Sequence, residues 1–216
     1  MKIGIIGSGD VGRKLGDGFI ELGHLVKIGS RDPNQSKITA WISKHGKENA
    51  SSGTFSDTAS FGEIIILATL WTGTLEAIQL ANPRNLANKI VIDVTNPLDF
   101  SKGMPPTLAV GHTDSAGETI QRMLPDSKVV KSFNIIGNPH MIHPDFPGGK
   151  PTMFICGNDE GAKKIVTQDI LSKFGWETID IGGIEGSRLL EPIALLWILH
   201  YIRTGSGNHA FKLLQK

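Results

Sequence analysis

Residues 7–12 read Gly7-Ser8-Gly9-Asp10-Val11-Gly12, three glycines in the spacing G-x-G-x-x-G. They follow the apolar run Ile3 to Ile6 and precede Val11, Leu15, Phe19 and Leu22, which recur at helical spacing. A strand, a glycine turn and a helix in that order form a cradle for a dinucleotide pyrophosphate. Gly7 allows the tight turn, Gly9 lets the backbone approach the phosphates, and Gly12 lets the helix pack closely on the strand. The helix N-terminus then presents N–H groups and the positive end of its dipole to the anion. Ser8, Asp10 and Val11 belong to the same cofactor-binding edge.

The end of the next strand selects the dinucleotide. Proteins that bind NAD place an Asp or Glu there for the ribose 2′-hydroxyl; this chain reads Ile28-Gly29-Ser30-Arg31. A hydroxyl and a planar guanidinium suit a 2′-phosphate that a carboxylate would repel. NADP(H) is therefore the expected cofactor, with Lys37 as a second cation for the same phosphate. Asp32 precedes Pro33 and reads as the start of the next helix, with proline at its first position.

The chain is poor in groups that could protonate a carbonyl. Its single tyrosine, Tyr201, has Gly205 rather than Lys four residues on, so the Tyr-x-x-x-Lys dyad is absent, as is any G-x-S-x-G elbow. His140 and His143 with Asp145 have no further cluster to complete a metal site, and none is expected. No residue is assigned a dedicated acid–base role. A flavin or deazaflavin ring can delocalise an incoming hydride's charge, so such an acceptor asks the protein only to stack two rings in register.

The elements that must position these residues alternate. Strands are expected at residues 2–7, 24–28, 54–55, 63–69, 90–94, 128–133, 152–156 and 177–181. Helices are expected at 10–22, 35–44, from Ser56 or Asp57, then at 74–80, 116–124, 159–174 and 187–203, with a short one after Gly207. Alternation implies a mostly parallel, doubly wound α/β sheet of Rossmann type. Two Pro- and Gly-rich loops, 96–113 and 134–151, directly follow strands, where such sheets build their ligand crevice. A Rossmann domain over 1–182 and a C-terminal helical extension over 183–216, carrying acceptor pocket and dimer interface, is the expected division.

The 216 residues hold 22 basic and 21 acidic side chains, a net charge of +1, without a long run of either sign, which argues against a nucleic-acid partner. A lone cysteine, Cys156, excludes an intramolecular disulfide and reads as a buried thiol. The N-terminal apolar run is too short for a signal peptide, so a cytoplasmic protein is expected. The apolar stretch Leu189 to Ile202 contains Glu191-Pro192 and His200 and falls short of the about 18 residues of a membrane span. Its Leu189, Leu190, Ile193, Leu196, Trp197 and Tyr201 suggest a homodimer face shared with the tail through Lys212.

The sequence resembles the NADPH:deazaflavin (8-hydroxy-5-deazaflavin) oxidoreductase family, and is similar to the cytoplasmic NADPH-flavin domain of the membrane metalloreductases. The resemblance rests on Gly7 to Gly12, Gly29-Ser30-Arg31, Leu67 to Trp71, Asp93 to Pro97, Val129 to Asn134, Ile155 to Asp159, Gly186 to Leu189 with Glu191, and Gly205-Ser206-Gly207 with Phe211-Lys212. It implies that Ser8, Ser30 and Arg31 hold NADP(H) and that Thr69, Leu70 and Asn96 lie along its ribose and nicotinamide. It further implies a small-molecule acceptor pocket, flavin or deazaflavin, built from Trp71, Pro97, Asn134, Ile135 and Gly207. The deazaflavin enzymes carry a His where this chain has Asn134, and there the run is more similar to the metalloreductase domain. A non-catalytic NADPH-binding protein, or an imine or keto reductase related to pyrroline-carboxylate reductase, are the alternative readings.

Overall fold

The computed structural model describes all 216 residues. Strands β1 (Lys2–Ile6), β2 (Leu25–Gly29), β3 (Ala50–Gly53), β4 (Ile64–Leu67) and β5 (Ile90–Asp93) come first, with a small hairpin of β6 (Leu98–Asp99) and β7 (Thr107–Leu108). Then follow β8 (Lys128–Lys131), β9 (Thr152–Gly157) and β10 (Glu177–Asp180). Helices α1 (Asp10–Glu21), α2 (Ser36–His45), α3 (Phe55–Phe61), α4 (Trp71–Ala81), α5 (Ala116–Met123), α6 (Glu160–Ile165) and α7 (Ser187–Thr204) connect and cover them.

The main sheet runs β10-β9-β8-β5-β4-β1-β2-β3. Six strands are parallel, the doubly wound order with its reversal between β1 and β4. β9 lies antiparallel to β8 and carries β10 with it, so the sheet is mostly parallel, as the alternation of elements implies. Apolar side chains fill both faces. Leu15 and Phe19 of α1 meet Ile3, Ile5 and Phe174 on one side; Ile65, Ile78 and Ile120 pack on the other.

Several local expectations are corrected. Thr54 and Phe55 are not a strand: Thr54 caps α3 by accepting from the Asp57 N–H, while the Asp57 carboxylate accepts from the Thr54 N–H. The strand is Ala50–Gly53 instead, an edge paired only with β2, whose small residues give no β signal. Asp32 closes its own turn by accepting from the Asn34 N–H at 3.0 Å, and α2 starts only at Ser36. Helix 159–174 changes character at Val166, where a π-helical segment continues to Leu171. No helix follows Gly207. The tail is extended and folds back on its own chain, with the Thr152 N–H donating to the Phe211 carbonyl and the Leu213 N–H to Thr152 Oγ1. Its length up to Lys212 is thus committed within the subunit.

The most consequential contact joins the sheet to α7. Lys131 at the end of β8, Asp93 at the end of β5 and Glu191 on α7 are all fully buried. Lys131 Nζ lies 2.9 Å from Asp93, 2.8 Å from Glu191 and 2.7 Å from the Thr95 carbonyl. Glu191 also accepts the N–H groups of Ala116 and Gly117, both at 3.1 Å, at the N-terminus of α5. Burial opposes the charge on Lys131, but the two carboxylates prevail and hold its pKa above the usual lysine value. Burial raises the Glu191 carboxyl above its ordinary range, and Lys131 and the α5 N–H groups pull it back only in part.

Lys131→Met should leave two buried carboxylates without a counter-charge and cost about 3–5 kcal/mol, read from urea unfolding. A carboxyl whose folded pKa is raised stabilises the fold when protonated and loses that contribution as pH rises. The deficit should therefore be smaller at acid pH than at neutral pH. A variant as stable as wild type would show that the triad is dispensable.

Candidate functional site

The cleft opens where the sheet order reverses. Its walls are the carboxyl ends of four strands: Gly7 to Val11 after β1, Gly29 to Arg31 after β2, Ala68 to Gly73 after β4 and Val94 to Asn96 after β5. Its volume is about 710 Å³, enough for much of a dinucleotide.

At the first turn the backbone leaves no choice of residue. Gly7 has φ +122°, and a Cβ there would lie 2.2 Å from the Ala68 carbonyl oxygen. A Cβ on Gly12 would lie 2.3 Å from the Gly7 oxygen, which is the close strand–helix packing expected of the third glycine. A Cβ on Gly9 would touch nothing within 4 Å. Gly9 faces open cleft, the space a pyrophosphate would fill beside the α1 N-terminus, so the loop fits the cofactor that the motif implies.

The second strand end brings Ser30 and Arg31 to the cleft. Ser30 is buried, and its Oγ accepts from the Asp32 N–H at 3.3 Å and from Gln35 Nε2 at 3.2 Å. Both of those bonds fill lone pairs, so the hydroxyl proton stays free to donate into the cleft. The Arg31 side chain is 75% exposed and its one ionic neighbour is Glu76 at 3.9 Å. Lys37 lines the cleft as well, whereas Asp32 does not.

The other end is neutral. Thr69 Oγ1 pairs with Thr74 Oγ1 at 2.8 Å, and Asn96 locks onto Asn134 by two bonds, Nδ2 to the Asn134 carbonyl at 2.8 Å and Oδ1 from Asn134 Nδ2 at 3.0 Å. Asn134 Nδ2 donates also to the Leu190 carbonyl at 3.0 Å, linking the cleft wall to α7. Leu70, which precedes α4, is 81% exposed at the mouth, with Phe100 at 52% on the opposing loop. No His, Tyr or Cys lines the cleft. Cys156 lies under α7, its thiol pushed up to about 11 chiefly by burial.

Of the candidate site residues, Gly7, Ser8, Gly9, Asp10, Val11, Ser30, Arg31, Lys37, Thr69, Leu70, Trp71 and Asn96 line the cleft together. Pro97 and Ile135 stand behind its wall; Ile135 is 2% exposed and belongs to the core. Asn134 backs Asn96 from the second layer. Gly207 lies apart against Trp197 and Tyr201. Sequence reasoning missed Gln35, which orients Ser30, and Glu76, the fifth residue past Trp71 on a helix whose first turn was read as loop. It also missed Thr95, although that residue stands only two positions past the end of β5.

The family described as NADP oxidoreductase, coenzyme F420-dependent, matches residues 2–97. The F420-dependent NADP reductase of Methanocaldococcus jannaschii is 32% identical over 96% of both chains. The chain belongs to this family. A crystal structure of a candidate F420-dependent NADP reductase from Arthrobacter sp. FB24 is 38% identical over the whole of both chains, with a TM-score of 0.93. Metalloreductase STEAP3 of Rattus norvegicus is 30% identical over 90% of this chain, which spans 36% of that protein. The imine reductase of Streptomyces aurantiacus, at 14% identity and a TM-score of 0.66, shares the fold alone. No helix of this F420-dependent oxidoreductase family member is long and apolar enough to cross a membrane.

The two glycines of the loop separate folding from binding. Gly7→Ala should cost roughly 1–3 kcal/mol from backbone strain alone, because an alanine must hold the positive φ and meet a carbonyl. Gly9→Val should keep the wild-type melting temperature yet abolish NADPH binding in a fluorescence titration. A Gly9→Val protein that still binds NADPH would make the loop structural only.

Proposed function

We propose that this F420-family oxidoreductase moves a hydride between NADPH and a deazaflavin, the 8-hydroxy-5-deazaflavin ring of coenzyme F420, with flavins as the related acceptors. The observation that carries the reading is the polarity of the cleft. Cations and a free hydroxyl gather at Ser30, Arg31 and Lys37, and the far end at Thr69, Thr95 and Asn96 offers hydroxyls and amides without a proton donor. NADPH supplies the hydride when bound. The chain's part is to fix two rings: Ser30, Arg31 and Lys37 take the 2′-phosphate, the loop from Gly7 to Gly12 takes the pyrophosphate, and Thr69, Leu70 and Asn96 border the nicotinamide. Trp71 and the layer of Asn134, Pro97 and Ile135 shape the acceptor side, with the 183–216 extension closing it. The decisive assay mixes the protein with NADPH and coenzyme F420, FMN or FAD and follows loss of NADPH absorbance; absence of turnover with every acceptor would favour a purely NADPH-binding protein.

Arg31→Ala should weaken NADPH by about 1.5–3 kcal/mol, the range for hydrogen bonds to charged groups, and leave NADH unchanged. Equal wild-type affinity for the two cofactors would overturn the assignment of the 2′-phosphate site.

A homodimer through α7 is part of the same reading. Leu190 and Ala194 turn inward, but Leu189 is 64% and Leu196 56% exposed, and Leu199, Tyr201 and Ile202 extend the apolar stripe. A groove between Leu189, Pro192 and Leu195 of α7 and Pro106 to Leu108 borders it. Large exposed apolar faces of this kind mark interfaces. Sedimentation velocity at micromolar concentration should give the dimer mass for wild type and the monomer mass for Leu189→Glu/Leu196→Glu; a monomeric wild type would refute the interface.

A further inference from the structure

Glu76 is the one carboxylate at the phosphate end of the cleft. Of the four charged side chains that line the cleft, Asp10 is taken by Arg13, and Arg31 and Lys37 are the cations assigned to the 2′-phosphate. Glu76 reaches this end from the α4 wall. Gly73, one turn earlier on the same helix face, and the adjacent Ala77 line the cleft as well. A Cβ on Gly73 would touch nothing within 4 Å, so that turn of α4 leaves the cleft open in front of Glu76.

The carboxylate meets a single ionic partner. Glu76 Oε2 lies 3.9 Å from Arg31 Nη1, and the two side chains are 60% and 75% exposed. Such a pair is too long for a bidentate bond and too wet to hold the fold together. Proteins that bind NAD place their carboxylate at the end of the second strand, where it accepts from the ribose 2′-hydroxyl. Here the carboxylate comes from a helix and faces the cation, so it meets the cofactor by way of Arg31.

We infer that Glu76 tunes the hold on NADP(H) by competing with the 2′-phosphate for Arg31. The inference rests on the 2′-phosphate site of the proposed function and adds a positioning residue to it. In the empty cleft Glu76 offsets part of the Arg31 charge. A phosphate that takes the guanidinium must first displace the carboxylate, which swings back into water. That displacement costs what the pair was worth, and for an exposed pair this is at most about a fivefold factor in affinity. NADPH and NADP⁺ carry the same phosphate, so both are loosened alike. A reductase that exchanges one for the other in every cycle gains faster release of both without a change in the hydride step.

Titration of NADPH, NADP⁺ and NADH against wild type, Glu76→Gln, Arg31→Ala and the double variant tests the inference without requiring turnover. At low ionic strength Glu76→Gln should tighten NADPH and NADP⁺ about threefold and slow NADPH release in a stopped-flow chase by a similar factor, while NADH changes less than about 1.5-fold. The gain should shrink in high salt and vanish where Arg31 is already alanine. Unchanged NADPH affinity in Glu76→Gln, with wild type still preferring NADPH to NADH, overturns the role of Glu76 and leaves the 2′-phosphate site intact. Weaker binding of NADPH and NADH alike overturns it too, since the carboxylate would then be accepting from the adenosine both share. A gain undiminished in the Arg31→Ala background places the carboxylate's effect on the phosphate directly and likewise overturns the competition. Equal wild-type affinity for NADPH and NADH removes the 2′-phosphate site itself, and the role of Glu76 falls with it.

Discussion

An ammonium group with no access to water must be surrounded by its own counter-charges or it will not stay charged, and Lys131 is such a group. Its partners come from two distant parts of the chain, Asp93 at the end of β5 and Glu191 inside α7. Two carboxyl groups share the one ammonium. One of them, Glu191, also faces the first N–H groups of α5, so a protein carboxyl group occupies a helix N-terminus much as a phosphate would. Four elements thereby meet at one point. None can shift without exposing a buried charge to apolar surroundings, which costs several kcal/mol.

What this knot secures is the neutral wall of the cleft. Lys131 holds the Thr95 carbonyl, Asp93 accepts from both the N–H and the hydroxyl of Thr95, and Asn96 follows directly. Asn134, three residues past Lys131, reaches Asn96 on one side and the Leu190 carbonyl on the other. Most polar atoms there are spent on one another, with Asn134 Oδ1 buried and unpartnered, and no acidic group is among them. At the opposite end the pattern inverts. The exposed Arg31–Glu76 pair at 3.9 Å contributes little, so the guanidinium is free to turn to a phosphate.

The ladder of elements was readable because its signals are local: apolar periodicity for α1, unbroken isoleucines for β4, and the glycine spacing for the first turn. Misreadings arose where tertiary context outweighs local preference. Ala50–Gly53 is a strand only because β2 lies beside it, and Trp71 begins α4 although Leu70 to Gly73 reads as a turn. The inward and outward faces of α7 could not be told apart either, since Leu189 and Leu190 are equally apolar and only the position of Glu191 decides which is buried. The triad itself was invisible. Asp93, Lys131 and Glu191 are separated by 38 and 60 residues, and the sequence alone gives no reason to bring three charges into the core.

Fold likeness stops short of chemistry here, and the reason is physical. The imine reductase of Streptomyces aurantiacus aligns over 94% of the chain, yet at 14% identity the resemblance shows the fold alone. Reducing an imine or a carbonyl places developing charge on one atom, and a donor must stand within hydrogen-bond reach of it. The neutral end of this cleft spends its amides internally and brings forward no imidazole, phenol or ammonium. A wall of that kind suits an acceptor that disperses the charge over its own ring, for which the requirement is a flat, fixed surface. The buried Lys131 and Asp93 hold Thr95 from behind, and neither lines the cleft itself.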